Sequence, residues 1–111
     1  MMKFQREDRL RSKKAFDRVR KEGRRAATDA MVLCVAPSAR KRLGVFVSKQ
    51  VGNAVVRNRL KRIFREFFRL QKKAFPEGDS VVIARPKAGR LENTEVRKQL
   101  DRVLEKIKLR G

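Results

Sequence analysis

The side chains best able to do chemistry in this sequence are cations concentrated between residues 54 and 75. A helix turns about 100° per residue, so a helix over this segment gathers polar and basic side chains on one side, namely Arg57, Asn58, Lys61, Arg62, Arg65, Arg69 and Lys72. Glu66 is the only acid in the segment, so salt bridges within the helix cannot neutralise this face, and its like charges repel at helical spacing. A polyanion is therefore the expected partner, and arginine adds planar, bidentate recognition of phosphate.

The composition of the whole chain indicates the same kind of partner. Its 111 residues include 32 Lys and Arg against 12 Asp and Glu, a net charge of +20, which favours nucleic acid first and an acidic membrane surface second. There is no histidine, which excludes an imidazole base, a Ser–His or Cys–His nucleophile pair and a histidine metal ligand. The single cysteine, Cys34, excludes an internal disulfide and a structural zinc site and fits a reducing compartment. We expect Cys34 to be a small buried residue without a redox role.

Carboxylates offer no convincing catalytic site either. The nearest approaches to a pair are Glu7–Asp8 and Glu77–Asp79, and we expect both to be surface and turn residues rather than magnesium ligands. No apolar run approaches the roughly 18 residues of a membrane span, and the charged N-terminus is unlike a signal peptide. We expect a single soluble, cytoplasmic domain over residues 1–111 that binds its partner without membrane contact.

Periodicity predicts the elements that position these side chains. Ser12 and Gly23 suit the two ends of a helix over residues 12–22. The bounded apolar run at 30–36 and the alternating run at 43–49 predict two strands, which we expect to pair as a hairpin.

The second half of the chain continues this mixed pattern. Residues 54–75 predict the most regular helix, with one face formed by Val56, Leu60, Ile63, Phe64, Phe67, Leu70, Gln71 and Ala74. A continuous apolar run at 80–84 predicts an interior strand, and Asn93 or Thr94 suits the cap of a last helix. A weaker pattern at 24–29 suggests a short extra strand. The order is helix, two or three strands, helix, strand, helix.

A close resemblance to the bacterial ribonuclease P protein family lies in residues 49–65, which read KQVGNAVVRNRLKRIFR. Its core is Arg57-Asn58-Arg59, preceded by Gly52-Asn53-Ala54-Val55-Val56 and followed by Leu60-Lys61-Arg62. The resemblance extends to the first helix with Phe16, to the strand from Leu43-Gly44 towards Ser48-Lys49, and to Val82-Ile83-Ala84-Arg85.

This resemblance implies an α/β (α+β) two-layer sandwich with an unusual left-handed β-α-β crossover, against the general right-handed rule. It also implies an accessory subunit that binds the catalytic ribonuclease P RNA and precursor tRNA and assists endonucleolytic removal of the 5′ leader. In such an enzyme the active site is RNA with Mg²⁺, so no catalytic residue and no metal ligand is expected in the protein.

The resemblance further implies two sets of binding residues. Those expected to bind the catalytic RNA are Arg57, Asn58, Arg59, Lys61, Arg62, Arg65 and Arg69. Those expected to bind the leader are Phe16, Phe46, Ser48, Lys49, Arg85 and Lys87. Arg20 and Cys34 stand where the family has aromatic residues, and we hypothesise that Phe46 partly restores the lost stacking surface. Ordinary core packing is the alternative explanation for Phe16 and Phe46.

Four other functions share parts of this pattern. A different ribonucleoprotein component, such as a ribosomal protein, shares the charge and size. A helix-turn-helix module would place a short helix, rather than strands, beside the basic one. A protein-only nuclease needs a carboxylate cluster or nucleophile, and a membrane-surface helix would need the apolar face that the core requires. The oligomeric state does not follow from the sequence.

Overall fold

The computed structural model describes residues 8–109, which form an α+β fold of three helices and a four-stranded mixed sheet. The elements are α1 (Lys13–Glu22), β1 (Arg24–Ala27), β2 (Met31–Ala36), β3 (Arg42–Phe46), α2 (Ala54–Leu70), β4 (Asp79–Ala84) and α3 (Asn93–Leu109), with short 3₁₀ helices at Lys72–Ala74 and Pro86–Arg90. The predicted fold class and element order are confirmed, and β1 confirms the short extra strand.

Local capping explains where the first two helices begin and end. Ser12 Oγ accepts a hydrogen bond from the backbone N–H of Ala15 at 3.0 Å, which satisfies an otherwise unpaired donor of α1. Asn53 Oδ1 does the same for Val56 at 3.0 Å. Gly23 caps the end of α1 as predicted, and its N–H donates to the carbonyl of Val19 at 2.9 Å. The position requires glycine, because a Cβ there would lie 2.8 Å from the carbonyl oxygen of Val35.

The strand order is β1-β2-β4-β3, and β2 does not pair with β3. The predicted hairpin is therefore wrong. β4 lies between the two strands, antiparallel to β2 and parallel to β3, because its continuous apolar run suits burial on both faces. β4 is thus the interior strand that the sequence predicts. The left-handed crossover through α2 stays a prediction from the resemblance.

The helices divide between the two faces of the sheet. α2 and α3 cover one face in a core that includes Leu33 and Val82, and α1 covers the other, where Val19 packs with Val32 and Val81. The outer edge of β3 is partly covered by the segment before α1, since the N–H of Leu10 donates to the carbonyl of Leu43 at 2.9 Å.

The inner face of α2 is mostly as predicted, with Leu60, Ile63, Phe64 and Phe67 buried. The prediction is wrong for Leu70 and Gln71, because Leu70 is 63% exposed and Gln71 is also exposed beyond the end of α2. The α-helix ends at Leu70 rather than 75. The chain then turns back and brings Phe75 edge-on to Phe68, with ring centroids 4.8 Å apart.

The last helix takes in Asn93 as its first residue, so neither Asn93 nor Thr94 caps it. The Asn93 side chain accepts a hydrogen bond from an arginine of α2 instead.

Candidate nucleic-acid interface

The cations of α2 fall into three rows, which follow from a rotation of about 100° per residue. The row that faces α3 contains Arg59 and Glu66. Arg59 Nη1 donates to Asn93 Oδ1 at 2.6 Å and to the carbonyl of Leu91 at 3.3 Å, and its Nη2 donates to the carbonyl of Gly89 at 3.4 Å. Arg59 therefore ties α2 to the segment that leads into α3.

The outermost row of α2, which we call the crest, contains Asn58, Arg62 and Arg69. Asn58 and Arg62 are exposed, and neither side chain forms a hydrogen bond or ion pair with any residue in the 8–109 range. Glu66 lies 3.6 Å from Arg97 of α3, so it does not pair with Arg62. Asn58 and Arg62 can donate to a polyanion without breaking contacts with the described residues.

The third row, Arg57, Lys61 and Arg65, turns towards β3. Arg57 Nη1 donates to the carbonyl of Gly52 at 3.3 Å. Arg65 is half-buried, and burial together with the neighbouring Arg9 lowers its pKa from the ordinary arginine value. Arg65 lines a cavity of about 300 Å³. The lining residues are Arg9, Leu10, Arg11, Phe16, Leu43, Gly44, Val45 and Arg65.

A second cavity, of about 350 Å³, lies between α1 and β3, and we call it the cleft. It is lined by Arg11, Lys13, Phe16, Asp17, Arg20, Val45 and Phe46. Three of these side chains are cations and one is an acid, so the cleft combines two aromatic rings with a positive rim. Lys13 and Arg20 were missed as candidate site residues, although their helical spacing from Phe16 places them beside its ring.

Phe16 occupies the wall between the two cavities. Its ring lies directly on the backbone of Gly44, where a Cβ would stand 2.8 Å from Phe16 Cε2. Gly44 therefore permits the aromatic ring to approach the strand closely. Phe16 remains half-buried rather than enclosed.

Phe46 follows Gly44 on the same face of β3 and is 51% exposed. Core packing is therefore the wrong explanation for Phe46. Its register partner on β4 is Ile83, which packs in the α1-side cluster. The ring is free to stack with a ligand in the cleft.

Cys34 lies under α1 with no exposed surface, which confirms the prediction of burial. Burial raises the pKa of its thiol, although the nearby charges of Arg25 and Arg20 act in the opposite direction. The family's aromatic position on the sheet is thus filled here by a neutral, enclosed side chain.

The other predicted leader-binding residues meet at one end of the sheet. Ser48 and Lys49 lie in a turn, in which the N–H of Val51 donates to the carbonyl of Ser48 at 3.1 Å. The predicted strand to residue 49 is wrong, since β3 ends at Phe46.

The carboxyl end of the parallel neighbour β4 leads to Arg85 and Lys87. Arg85 Nη1 donates to the carbonyl of Thr28 at 3.0 Å. Lys87 Nζ lies 3.2 Å from Asp29 Oδ2 in an exposed ion pair. The structure therefore brings Lys49, Arg85 and Lys87 to one end of the sheet, near the exposed ring of Phe46.

Two of the carboxylates predicted to be surface and turn residues are buried, whereas Glu77 is exposed in a bend as predicted. Asp79 is buried at the start of β4, where Arg42 Nε and Nη2 bind its two oxygens at 2.8 and 2.9 Å and Arg18 Nη2 lies 3.3 Å away. The hydrogen bond with Asp79 raises the pKa of Arg42. The prediction of an exposed turn residue is thus wrong for Asp79, because only the tertiary fold brings its two arginines together.

Asp8 is also buried, and its Oδ1 lies 2.8 Å from Lys72 Nζ. Its sequence neighbour Glu7 lies outside the described residues. Lys72 follows α2 rather than belonging to it, so its predicted place on the cationic face is wrong. Within residues 8–109, no three His, Cys, Asp or Glu side chains form a group that could hold a metal ion. None of the helices in that range is both long and apolar enough to cross a membrane.

Comparison with known proteins settles the family. The family model described as Ribonuclease P matches residues 4–108. The chain belongs to the ribonuclease P protein family. The ribonuclease P protein component of Shouchella clausii is 43% identical over 110 residues, which cover 96% of this chain and 90% of that protein. Membership makes the chain a subunit of a ribonucleoprotein nuclease in tRNA processing, with ribonuclease P RNA as its partner.

Solved ribonuclease P proteins share the fold. The Staphylococcus aureus protein has a TM-score of 0.84 at 34% identity, with 88% of this chain and 93% of that chain covered. The Thermotoga maritima protein has a TM-score of 0.77 at 35% identity, with 88% and 96% covered. The likeness therefore extends over most of the chain.

Proposed function

We propose that this ribonuclease P protein binds the catalytic RNA through α2 and the 5′ leader of precursor tRNA through the cleft, and so assists Mg²⁺-dependent, RNA-catalysed removal of the leader. The proposal rests on one observation about the two surfaces of the molecule. Phe16 and the exposed Phe46 line a cavity with a cationic rim, while a separate cationic row projects from α2 on the other face of the sheet. One small domain thus offers two surfaces for RNA.

Electrostatics supports α2 as the surface for the catalytic RNA. Asn58 and Arg62 at its crest point to solvent, with Arg69 on the same row and Arg57 and Lys61 beside them. Binding of phosphates by these cations releases counterions, so affinity falls steeply as salt rises. Arg59 contributes to this surface by anchoring α2, because its donors are bound to residues 89–93.

The cleft supports leader binding by stacking and charge together. Single-stranded nucleic acid is held by aromatic rings under the bases and by cations along the backbone. Phe16 and Phe46 supply the rings, and Ser48, Lys49, Arg85 and Lys87 supply donors at the adjoining end of the sheet. The exposed ion pair of Lys87 with Asp29 is weak, so Lys87 can exchange it for a leader phosphate.

We infer that the RNA carries out catalysis and holds most of the Mg²⁺. The two buried carboxylates support this inference, since Asp79 is neutralised by Arg42 and Arg18 and Asp8 is paired with Lys72. The protein contributes cations that relieve the repulsion between RNA phosphates brought close together. We place this activity in the cytoplasm, where a reduced Cys34 is expected.

The test is cleavage of precursor tRNA at low magnesium by a bacterial ribonuclease P RNA alone, by this protein alone and by the two together. Activity in the mixture only is the expected result. The affinity of the assembled enzyme for precursor and for mature tRNA is measured in parallel, and tighter binding of the precursor is expected. Cleavage by the protein alone would overturn RNA catalysis. Tight RNA binding without any gain in cleavage would indicate a different ribonucleoprotein function.

A further inference from the structure

The cavity on the far side of Phe16 from the cleft is built from cations of separate segments. We call it the arginine pocket and define it by Arg9, Arg11 and Arg65 around Phe16 and Gly44. Arg11 lies just before α1, whereas Arg65 belongs to α2 on the other face of the sheet. Arg65 therefore reaches the Phe16 side of the molecule past the edge of β3.

The backbone holds this pocket in shape before any ligand arrives. The N–H of Leu10 donates to the carbonyl of Leu43, which fixes the segment of Arg9 and Arg11 along β3. The absence of a side chain at Gly44 leaves the Phe16 ring against the strand, as part of the pocket wall. A preformed set of donors loses less freedom on binding than a flexible one.

The pocket gathers positive charge from separate segments of the chain, which favours an anion as its ligand. No acidic side chain within residues 8–109 lines it. Arg65 is partly withdrawn from water and lies close enough to Arg9 for the two charges to repel. Arg62, one turn earlier on α2, is by contrast exposed and faces solvent. Arg11 and Arg65 form no hydrogen bond or ion pair with any other residue that the structure describes, so their donors are available to a phosphate or a similar anion.

We propose that the arginine pocket binds one phosphate of the single-stranded leader, adjacent to the base that stacks on Phe16. This inference rests on the proposed function and deepens it, because it moves Arg65 from the surface for the catalytic RNA to the leader site. Phe16, Arg11 and Val45 line both cavities, so one nucleotide can place its base on the cleft side of Phe16 and its phosphate in the pocket. Bidentate contact from arginine suits a phosphate that must be held in one orientation.

The test uses the assembled enzyme and a set of precursor tRNAs, each with one leader linkage replaced by an uncharged methylphosphonate. With the wild-type protein, neutralising one particular linkage should weaken binding about ten-fold, as for loss of a hydrogen bond to a charged group. With Arg65→Gln, the unmodified precursor should bind about ten-fold more weakly, and sensitivity to that linkage should disappear. Arg62→Gln is the matched control on the same helix and should retain the sensitivity at saturating protein.

A second variant shows whether a change in linkage sensitivity is caused by misfolding of Arg65→Gln. Arg11 is exposed, so Arg11→Gln should fold normally and reproduce the loss of linkage sensitivity. If Arg65→Gln instead weakens assembly with the catalytic RNA and keeps the linkage sensitivity, the pocket serves the catalytic RNA and the inference is wrong. If the wild-type enzyme prefers precursor tRNA but responds to no single linkage, the inference fails while the proposed function stands. Equal binding of precursor and mature tRNA would instead refute leader binding itself.

Discussion

Phe46 is the residue at which stacking and packing can be separated most cleanly. Because half of its ring is exposed, Phe46→Ala should change the free energy of unfolding by no more than about 0.5 kcal/mol. A base stacked on an aromatic ring contributes about 1 to 3 kcal/mol, so affinity for the leader should fall roughly 5- to 150-fold. Urea unfolding and precursor binding by the assembled enzyme measure the two quantities.

Leu70→Ala is the matched control for Phe46, since Leu70 is 63% exposed and lies on α2 away from the cleft. It should leave both stability and leader affinity nearly unchanged. Loss of stability in Phe46→Ala with unchanged leader affinity would show that the ring only packs.

The Phe16 ring lies against Gly44, which predicts that substitutions at these two residues have coupled effects on the free energy of unfolding. A Cβ at residue 44 would collide with the Phe16 ring, so Gly44→Ala should lower the free energy of unfolding by about 1 to 3 kcal/mol, as for other overpacked sites. In a Phe16→Ala background the same change should have little effect. Urea unfolding of the four proteins gives the coupling energy, and additive effects would mean that the ring does not rest on Gly44.

At the scale of elements, Arg59 connects α2 to the start of α3. Loss of its hydrogen bonds to Gly89, Leu91 and Asn93 in Arg59→Ala should reduce the free energy of unfolding by about 1 to 3 kcal/mol. The dependence of catalytic-RNA affinity on salt should keep its slope, since an anchoring residue neutralises no phosphate. Thermal or urea unfolding and a salt titration of RNA binding measure the two effects.

Arg62→Ala is the matched control for Arg59, because Arg62 is exposed on the same helix. It should have almost no effect on stability and should reduce the salt slope. Asn93→Ala should reproduce part of the stability loss of Arg59→Ala, and the two changes should not be additive. If Arg59→Ala flattened the salt slope as much as Arg62→Ala does, Arg59 would contact RNA directly, as the family resemblance implies.

The elements themselves could be predicted from the sequence because their signals are local. Ser12, Gly23 and the spacing of Leu60, Ile63, Phe64 and Phe67 determine helices within a few turns of chain. The pairing of strands is not local, since β4 is inserted between β2 and β3 after α2 has crossed the sheet. The apolar run at 80–84 predicts an interior strand, but a local pattern does not identify the two strands that flank it.

The same limit applies to side chains whose partners are distant in the chain. Asp79 meets Arg18 and Arg42 across 61 and 37 residues, and Arg59 meets Asn93 across 34. Composition and spacing identify these residues as charged but not as paired. Family resemblance suggested Phe16 and the α2 cations, whereas the exposure of Phe46 and the reach of Arg65 required the fold.

At the scale of the whole molecule, the placement of α1 and α2 explains how a domain of this size presents the two proposed RNA surfaces. α1 and α2 lie on opposite faces of the sheet, so the cleft and the crest point in different directions. β3 carries Gly44 and Phe46 on the α1 face, and its edge is where Arg65 passes from one side to the other. The leader and the catalytic RNA can therefore contact the protein at the same time without competing for one surface.

The net charge of +20 predicts opposite effects of salt on folding and on binding. Self-repulsion destabilises a compact, highly charged chain, and salt screens it over a Debye length of about 10 Å at 0.1 M. The melting temperature of the free protein should therefore rise with salt. Affinity for the catalytic RNA should fall, because each phosphate contact releases counterions.

Two variants that each remove one positive charge distinguish the effect of total charge on stability from the effect of a phosphate contact on RNA binding. Arg62→Gln on the crest and Arg40→Gln in the loop before β3 should both raise the melting temperature at low salt, since both side chains are exposed and each adds to the repulsion. Only Arg62→Gln should reduce the slope of log affinity against log salt, by about 0.7 to 0.9 for one phosphate contact. Equal reductions of this slope by the two variants would mean that RNA affinity depends on the total charge of the molecule and that α2 is not a specific RNA-binding surface. Melting curves and RNA titrations over the same salt series decide between a diffuse and a localised interface.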